Sequence, residues 1–202
     1  MDRWPLFEEG AHPVSELIRL QTPLTEEDVR RLHAGDRVLI SGPLIGARDA
    51  AHRRLVETLK RGEPLPVDLR GQVVYYTGPS PAREGQVIGA AGPTTSIRID
   101  AYSEYLMQQG MRGMIGKGNR GPQCIEWVQK YGCVYFAAIG GLGALLSQRI
   151  RVAKVVAYED LGTEAVRLYE VEDFPVVVIN DVYGRDFYRE APQQWRSLAA
   201  AR

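Results

Sequence analysis

The rhythm of apolar and polar positions changes several times along the chain, and each change predicts an element. Thr25, followed by Glu26, Glu27 and Asp28, predicts a helix N-cap with an acidic first turn, and Gly35 is where that helix should stop. Residues 37–41 (Arg-Val-Leu-Ile-Ser) predict a short strand, and residues 49–60 have helical composition ended by Gly62 and Pro64. The Val-Val-Tyr-Tyr run predicts a buried strand over 72–76, and the glycines and prolines of 77–84 a loop. Strand and helix then alternate: strand 87–91 into helix 95–109, strand 113–115 into helix 123–130, strand 134–138 into helix 143–148. A β-rich part follows at 152–158, 165–171 and 176–179, with a turn at 181–184. This order predicts an α/β fold with a mixed or parallel sheet and crossover helices. Residues 1–22, without sustained periodicity, read as an N-terminal arm or a partner-wrapping extension. Residues 23–188 form the domain, and 189–202 a polar, Ala-rich tail with a short helix.

Composition narrows the functional classes. The 202 residues, 45% apolar and 25% charged, suit one globular domain. Lys+Arg 25 against Asp+Glu 25 gives a net charge of zero, which lacks the footprint of a nucleic-acid or membrane-surface binder, so neither partner is expected. No apolar run reaches the roughly 18–20 residues that span a bilayer, and the acidic, Pro-containing start has no signal-peptide pattern, so the cytoplasm is the expected location. Cys124 and Cys133 form neither a disulfide framework nor a metal-ligand spacing, and two cysteines cannot alone hold a thiolate-ligated cluster.

Open α/β sheets bind ligands beyond the carboxyl ends of their strands, which directs attention to three loops. Gly92-Pro93-Thr94-Thr95-Ser96-Ile97-Arg98 puts three hydroxyls at a helix start and Arg98 one turn beyond Thr94. That suits a carboxylate or phosphate; the plainer alternative is that Thr94 or Thr95 merely caps the helix. In Gly46-Ala47-Arg48-Asp49-Ala50-Ala51-His52, Arg48 opposes the helix macrodipole and needs solvent or an anion to face. His52, one turn on, is either a proton carrier, a positioning group or a packed side chain.

The third loop, Gly116-Lys117-Gly118-Asn119-Arg120-Gly121, matches the G-x-G-x-x-G dinucleotide pattern. It lacks the acidic residue about 20 positions later, where Ile139, Gly140 and Gly141 stand. A P-loop fails as well, because Met111 replaces its first glycine and Gly118 its Ser or Thr. What remains is Lys117 in a tight turn, able to reach an anion. Arg48, Arg98 and Lys117 at equivalent loop positions, with Thr94 among them, suit a small dicarboxylate.

Five segments in order now resemble the C-terminal region of class I iron–sulfur fumarases over residues 23–188. They are Ala47-Arg48-Asp49-Ala50-Ala51-His52, Gly92-Pro93-Thr94-Thr95 with Arg98, Gly116-Lys117-Gly118-Asn119-Arg120, Ile139-Gly140-Gly141 and Glu170-Val171-Glu172-Asp173-Phe174-Pro175. The resemblance implies a swivelling β/β/α domain, in many organisms a separate β subunit. Its α-subunit partner holds a [4Fe–4S] cluster, and the reaction is the reversible hydration of fumarate to L-malate. It also implies that Arg48, Arg98 and Lys117 clamp the dicarboxylate substrate and that Thr94 is the hydroxyl in proton transfer. Asp49, His52, Thr95 and Asn119 would support them, and this chain would ligate no metal. The β subunit of L-tartrate dehydratase is the near alternative. Asn119, Ala50-Ala51 and Glu-Asp-Phe-Pro favour fumarase, whereas Ser96-Ile97, where fumarases carry Gly, leans to the tartrate enzyme. A stand-alone small-anion or nucleotide-binding module stays as a reading of another class, and self-association of the isolated chain stays open.

Overall fold

The computed structural model describes residues 17–200, so most of the predicted arm lies outside the described residues. Residues 18–21, for which the sequence shows no periodicity, form strand β1 (Ile18–Gln21). Helix α1 (Glu26–Arg30) starts as expected, with Thr25 and Asp28 bonded reciprocally in a capping box, but stops well before Gly35. The remaining elements are β2 (Arg37–Gly46), α2 (Asp49–Lys60), β3 (Val73–Tyr75), α3 (Asp100–Gln108), β4 (Gly113–Gly116), α4 (Pro122–Tyr131), β5 (Val134–Ala137), α5 (Gly143–Ser147), β6 (Ile150–Ala157), β7 (Val166–Asn180) and α6 (Phe187–Ala200). Two 3₁₀ turns, Ser96–Ile99 and Glu159–Glu164, precede α3 and β7.

The strands form one mixed seven-stranded sheet in the order β1-β2-β3-β4-β5-β7-β6, with β2 also paired to β7. Pairs β1–β2, β2–β3, β3–β4 and β4–β5 are parallel, and β7 runs antiparallel to β2, β5 and β6. Because β7 joins β5 back to β2, hydrogen bonding runs around a closed circuit β2-β3-β4-β5-β7. Side-chain alternation then sorts two cores. Val73, Tyr75, Ile115, Phe136 and Phe174 belong to one core, and Val74, Tyr76, Met114 and Tyr135 pack outward with Leu55 of α2, Leu106 of α3 and Val128 of α4.

Three expectations are corrected here. Residues 87–91 form no strand, although Ile88 and Ala91 are buried in the core. Both edges of β3 are already occupied by β2 and β4, and Gly89 interrupts the apolar run while lying against Ser80, so this segment has no ladder to join. The two strands expected at 165–171 and 176–179 are one long strand, β7. It bends at Asp173, whose φ is +49° and whose N–H donates to Ser41 Oγ at 3.0 Å, opposite the register shift between Ile40 and Gly42. The C-terminal helix begins at Phe187, within the expected domain, and is longer than the short one expected.

Candidate functional site

The ends of β2, β3 and β4 carry the three loops. After β3, residues 93–96 insert between the strand ends. Thr94 N–H donates to Tyr76 O at 2.6 Å, Lys117 N–H to Thr94 O at 3.1 Å, and Ser96 N–H to Lys117 O at 2.9 Å. The backbone thus ties Thr94 and Thr95 directly to Lys117. Gly116 makes this approach workable: a Cβ there would lie 2.0 Å from Ser96 Oγ. Ser96 Oγ is itself 2.9 Å from Tyr135 Oη, whose hydroxyl donates to Gly118 O at 2.8 Å.

The capping alternative for the threonines does not hold. Thr95 occupies the N-cap of the Ser96–Ile99 turn without a side-chain cap bond, and neither Thr94 nor Thr95 uses its hydroxyl in a hydrogen bond among the described residues. Lys117 is exposed, and its ammonium has no ion pair or hydrogen bond among the described residues. Asn119 is exposed in the same loop, and its side chain makes no hydrogen bond among the described residues. A half-buried threonine hydroxyl and a bare ammonium, on residues joined through the backbone, are suited to hold an anionic, oxygen-rich ligand.

Arg48 and Arg98 meet over one carboxylate. Asp49 Oδ2 lies 3.4 Å from Arg48 Nε and 3.1 Å from Arg98 Nη2. The Arg48 side chain runs across Gly78, where a Cβ would come within 2.8 Å of Arg48 Cδ. Arg48 itself is the N-cap residue of α2 and provides no side-chain cap; the Ala50 N–H donates instead to Glu164 Oε2 at 2.7 Å, and Glu164 Oε1 lies 3.6 Å from Arg48 Nη2. Sequence reasoning missed Glu164, which reaches the site from a turn far along the chain.

His52 is fully buried and lies beneath Arg48, its Nδ1 2.9 Å from Arg48 O. The carbonyl accepts, so Nδ1 carries the proton, and Nε2 is left buried with no partner. Burial drives its pKa down from 6.5 to about 4, against the opposing bond to Arg48, so the ring is a neutral support and not a proton carrier. An unfolded His52 binds a proton near pH 6.5. Its contribution to stability is therefore complete above that pH and is lost as the pH falls towards 4, at up to about 1.4 kcal/mol per pH unit. Urea melts between those pH values should show this slope in the wild type and a shallower one in His52→Asn; equal slopes would refute it.

Behind the loops that follow β3 and β4 sits a second residue that the sequence reading passed over except as part of a motif. The Arg120 side chain is fully buried and ion-paired to Asp100 Oδ1 at 2.6 Å. Its Nη2 donates to Ser103 Oγ at 2.6 Å and Cys124 Sγ at 2.9 Å, and its Nη1 to Tyr76 Oη at 3.2 Å. Tyr76 also takes the edge of His52, with ring centroids 5.1 Å apart, linking the support of the first loop to that of the third. Asp100 Oδ2 accepts the Gly121 N–H at 2.6 Å, so an internal carboxylate already occupies the start of α4, where a nucleotide phosphate would dock.

The thiols are no fit for iron. Cys124 is buried against Arg120, and burial raises its pKa; Cys133 donates to Met111 O at 3.0 Å and burial pushes it up to about 12. Among the described residues, no group of three or more His, Cys, Asp or Glu side chains could hold a metal ion.

Known proteins share this chain's sequence over most of its length. It is 37% identical over 177 residues to the aerobic class I fumarate hydratase of Salmonella typhimurium, covering 86% of this chain and 30% of that protein. It is 40% identical over 156 residues to the corresponding enzyme of Escherichia coli K12, covering 76% of this chain and 28% of the enzyme. The putative L(+)-tartrate dehydratase subunit beta of Methanocaldococcus jannaschii is 38% identical over 173 residues, which are 83% of this chain and 89% of that subunit. The chain thus spans about a third of the length of the fumarate hydratases it matches. Residues 1–191 match the family model described as the fumarase C-terminus, and the chain belongs to that family.

Proposed function

We propose that this chain is the β subunit of a class I fumarate hydratase, a hydro-lyase that interconverts fumarate and L-malate with a separate α subunit. The observation that carries the reading is the pair Arg48 and Arg98, held together by Asp49, at the same end of the sheet as the free Thr94 hydroxyl and the bare Lys117 ammonium. In this reading the guanidiniums and the ammonium grip the two substrate carboxylates, fixing the reacting carbons against Thr94. Thr94 Oγ1 passes or accepts the proton at the carbon beside a carboxylate, and as a weak base it needs an acidic or basic group from the partner to do so. Asp49 sets the spacing of the arginines, His52 supports the Arg48 backbone, and Thr95 and Asn119 line the loops. A [4Fe–4S] cluster on the α subunit supplies a Lewis acid for the substrate hydroxyl. The closed strand circuit supports movement as one swivelling body over that partner. No helix among the described residues is long and apolar enough to cross a membrane, and the reading places the complex in the cytoplasm.

Anaerobic reconstitution with the cluster-bearing partner should give fumarate loss that follows absorbance in time. Activity on tartrate with none on fumarate would replace the reading with an L-tartrate dehydratase β subunit. That second reading is favoured by Ile97, 54% exposed beside Arg98, and by the match to nearly the whole length of the tartrate dehydratase subunit. Tight dicarboxylate binding by this chain alone, measured by calorimetry, would favour a stand-alone anion-binding module.

A further inference from the structure

We propose that Glu164 is the positioning residue for Arg48, aligning its guanidinium for the substrate carboxylate. The inference rests on Arg48 being a carboxylate clamp. A helix start leaves backbone N–H groups free, and at α2 no side chain of its own N-cap takes one. Glu164 Oε2 accepts the Ala50 N–H at 2.7 Å, which anchors the carboxylate, and the other oxygen is thereby fixed 3.6 Å from Arg48 Nη2. The carboxylate comes from a turn that is itself tied down: Arg167 Nη2 donates to Gly162 O at 2.8 Å and its Nη1 to Thr163 O at 3.0 Å. Thr163 O also borders Gly78, over which the Arg48 side chain runs. Arg48 is therefore bracketed, with Asp49 at Nε, Glu164 at Nη2 and the Gly78 backbone beneath.

The bracket has a consequence for binding. Asp49 alone is shared between Arg48 and Arg98, so without Glu164 the Arg48 fork is free to turn fully onto Asp49 and away from a ligand. A guanidinium held in place loses less freedom when a carboxylate arrives, and the reacting atoms are better aligned.

The test is a double-mutant cycle on the reconstituted complex, using Glu164→Gln, which keeps an oxygen for the Ala50 N–H while removing the charge that faces Arg48. We expect kcat/KM for fumarate to fall about tenfold in Glu164→Gln and by less than about twofold when the same change is made in Arg48→Ala. Equal losses in both backgrounds, or wild-type kinetics in the single variant, would overturn the inference. In this chain without its partner, the Arg48 Nε–H should exchange several-fold faster in Glu164→Gln; unchanged exchange would also overturn it. If Arg48→Ala alone leaves kcat/KM unaltered while that exchange still quickens, the clamp reading fails and the Glu164 contact stands.

Discussion

Arg120→Ala will cost the fold roughly 3–5 kcal/mol, the loss expected when one partner of a buried ion pair is removed. The guanidinium is fully buried, and its ion pair with Asp100 and its bonds to Ser103, Cys124 and Tyr76 draw α3, α4 and the end of β3 together. It also faces the Tyr135 ring at 5.1 Å, which stands beneath Ser96 and Gly118. Alanine would leave a cavity and an uncompensated Asp100. Burial already raises the Asp100 pKa, and Arg120 is the foremost influence lowering it, so the carboxyl of the variant should protonate at a higher pH than in the wild type. Urea unfolding should show a lower midpoint with an unchanged slope. Replacing both partners, Asp100→Asn with Arg120→Met, should recover most of the loss, because no charge is then stranded. A wild-type midpoint for Arg120→Ala would show that the cluster contributes nothing.

Arg98→Ala should lower kcat/KM for fumarate by two orders of magnitude or more, equivalent to about 2.7 kcal/mol of transition-state stabilisation. Arg98 is half exposed and its contact is the shared Asp49 oxygen, so stability should scarcely change while the proposed carboxylate clamp is lost. The two effects separate cleanly, since a thermal melt reports the first and steady-state kinetics the second. Arg98→Lys should restore little, because an ammonium cannot offer the paired donors of a guanidinium. Near-normal kinetics for the alanine variant would remove Arg98 from the site.

Much of this was readable in the chain because it is local. The α2 boundaries follow from Asp49, Gly62 and Pro64, and the Val-Val-Tyr-Tyr run at 73–76 alternates between the two cores as a buried strand should. The candidate residues Arg48, Asp49, Thr94, Arg98 and Lys117 were each visible as polar groups at strand-to-helix junctions, and the structure brings them to one end of the sheet. The features that escaped depend on distant partners. Nothing near Glu164 indicates that it meets the start of α2, and Arg120 looks like any loop arginine until Asp100, Ser103 and Tyr76 close around it. The false strand at 87–91 has the same cause: its composition suits a strand, but whether an edge is free is decided elsewhere.

The circuit β2-β3-β4-β5-β7 also bears on how the chain reaches its native state. β7 alone joins β5 to β2, and Arg37 pairs with Val177, so the ring is closed by contacts between segments made early and late in synthesis. Loop-closure entropy opposes such pairing until most of the chain is available, which predisposes the protein to slow folding. A nascent chain halted before β7 emerges would leave the edges of β2 and β5 unpaired, an invitation to association with other chains.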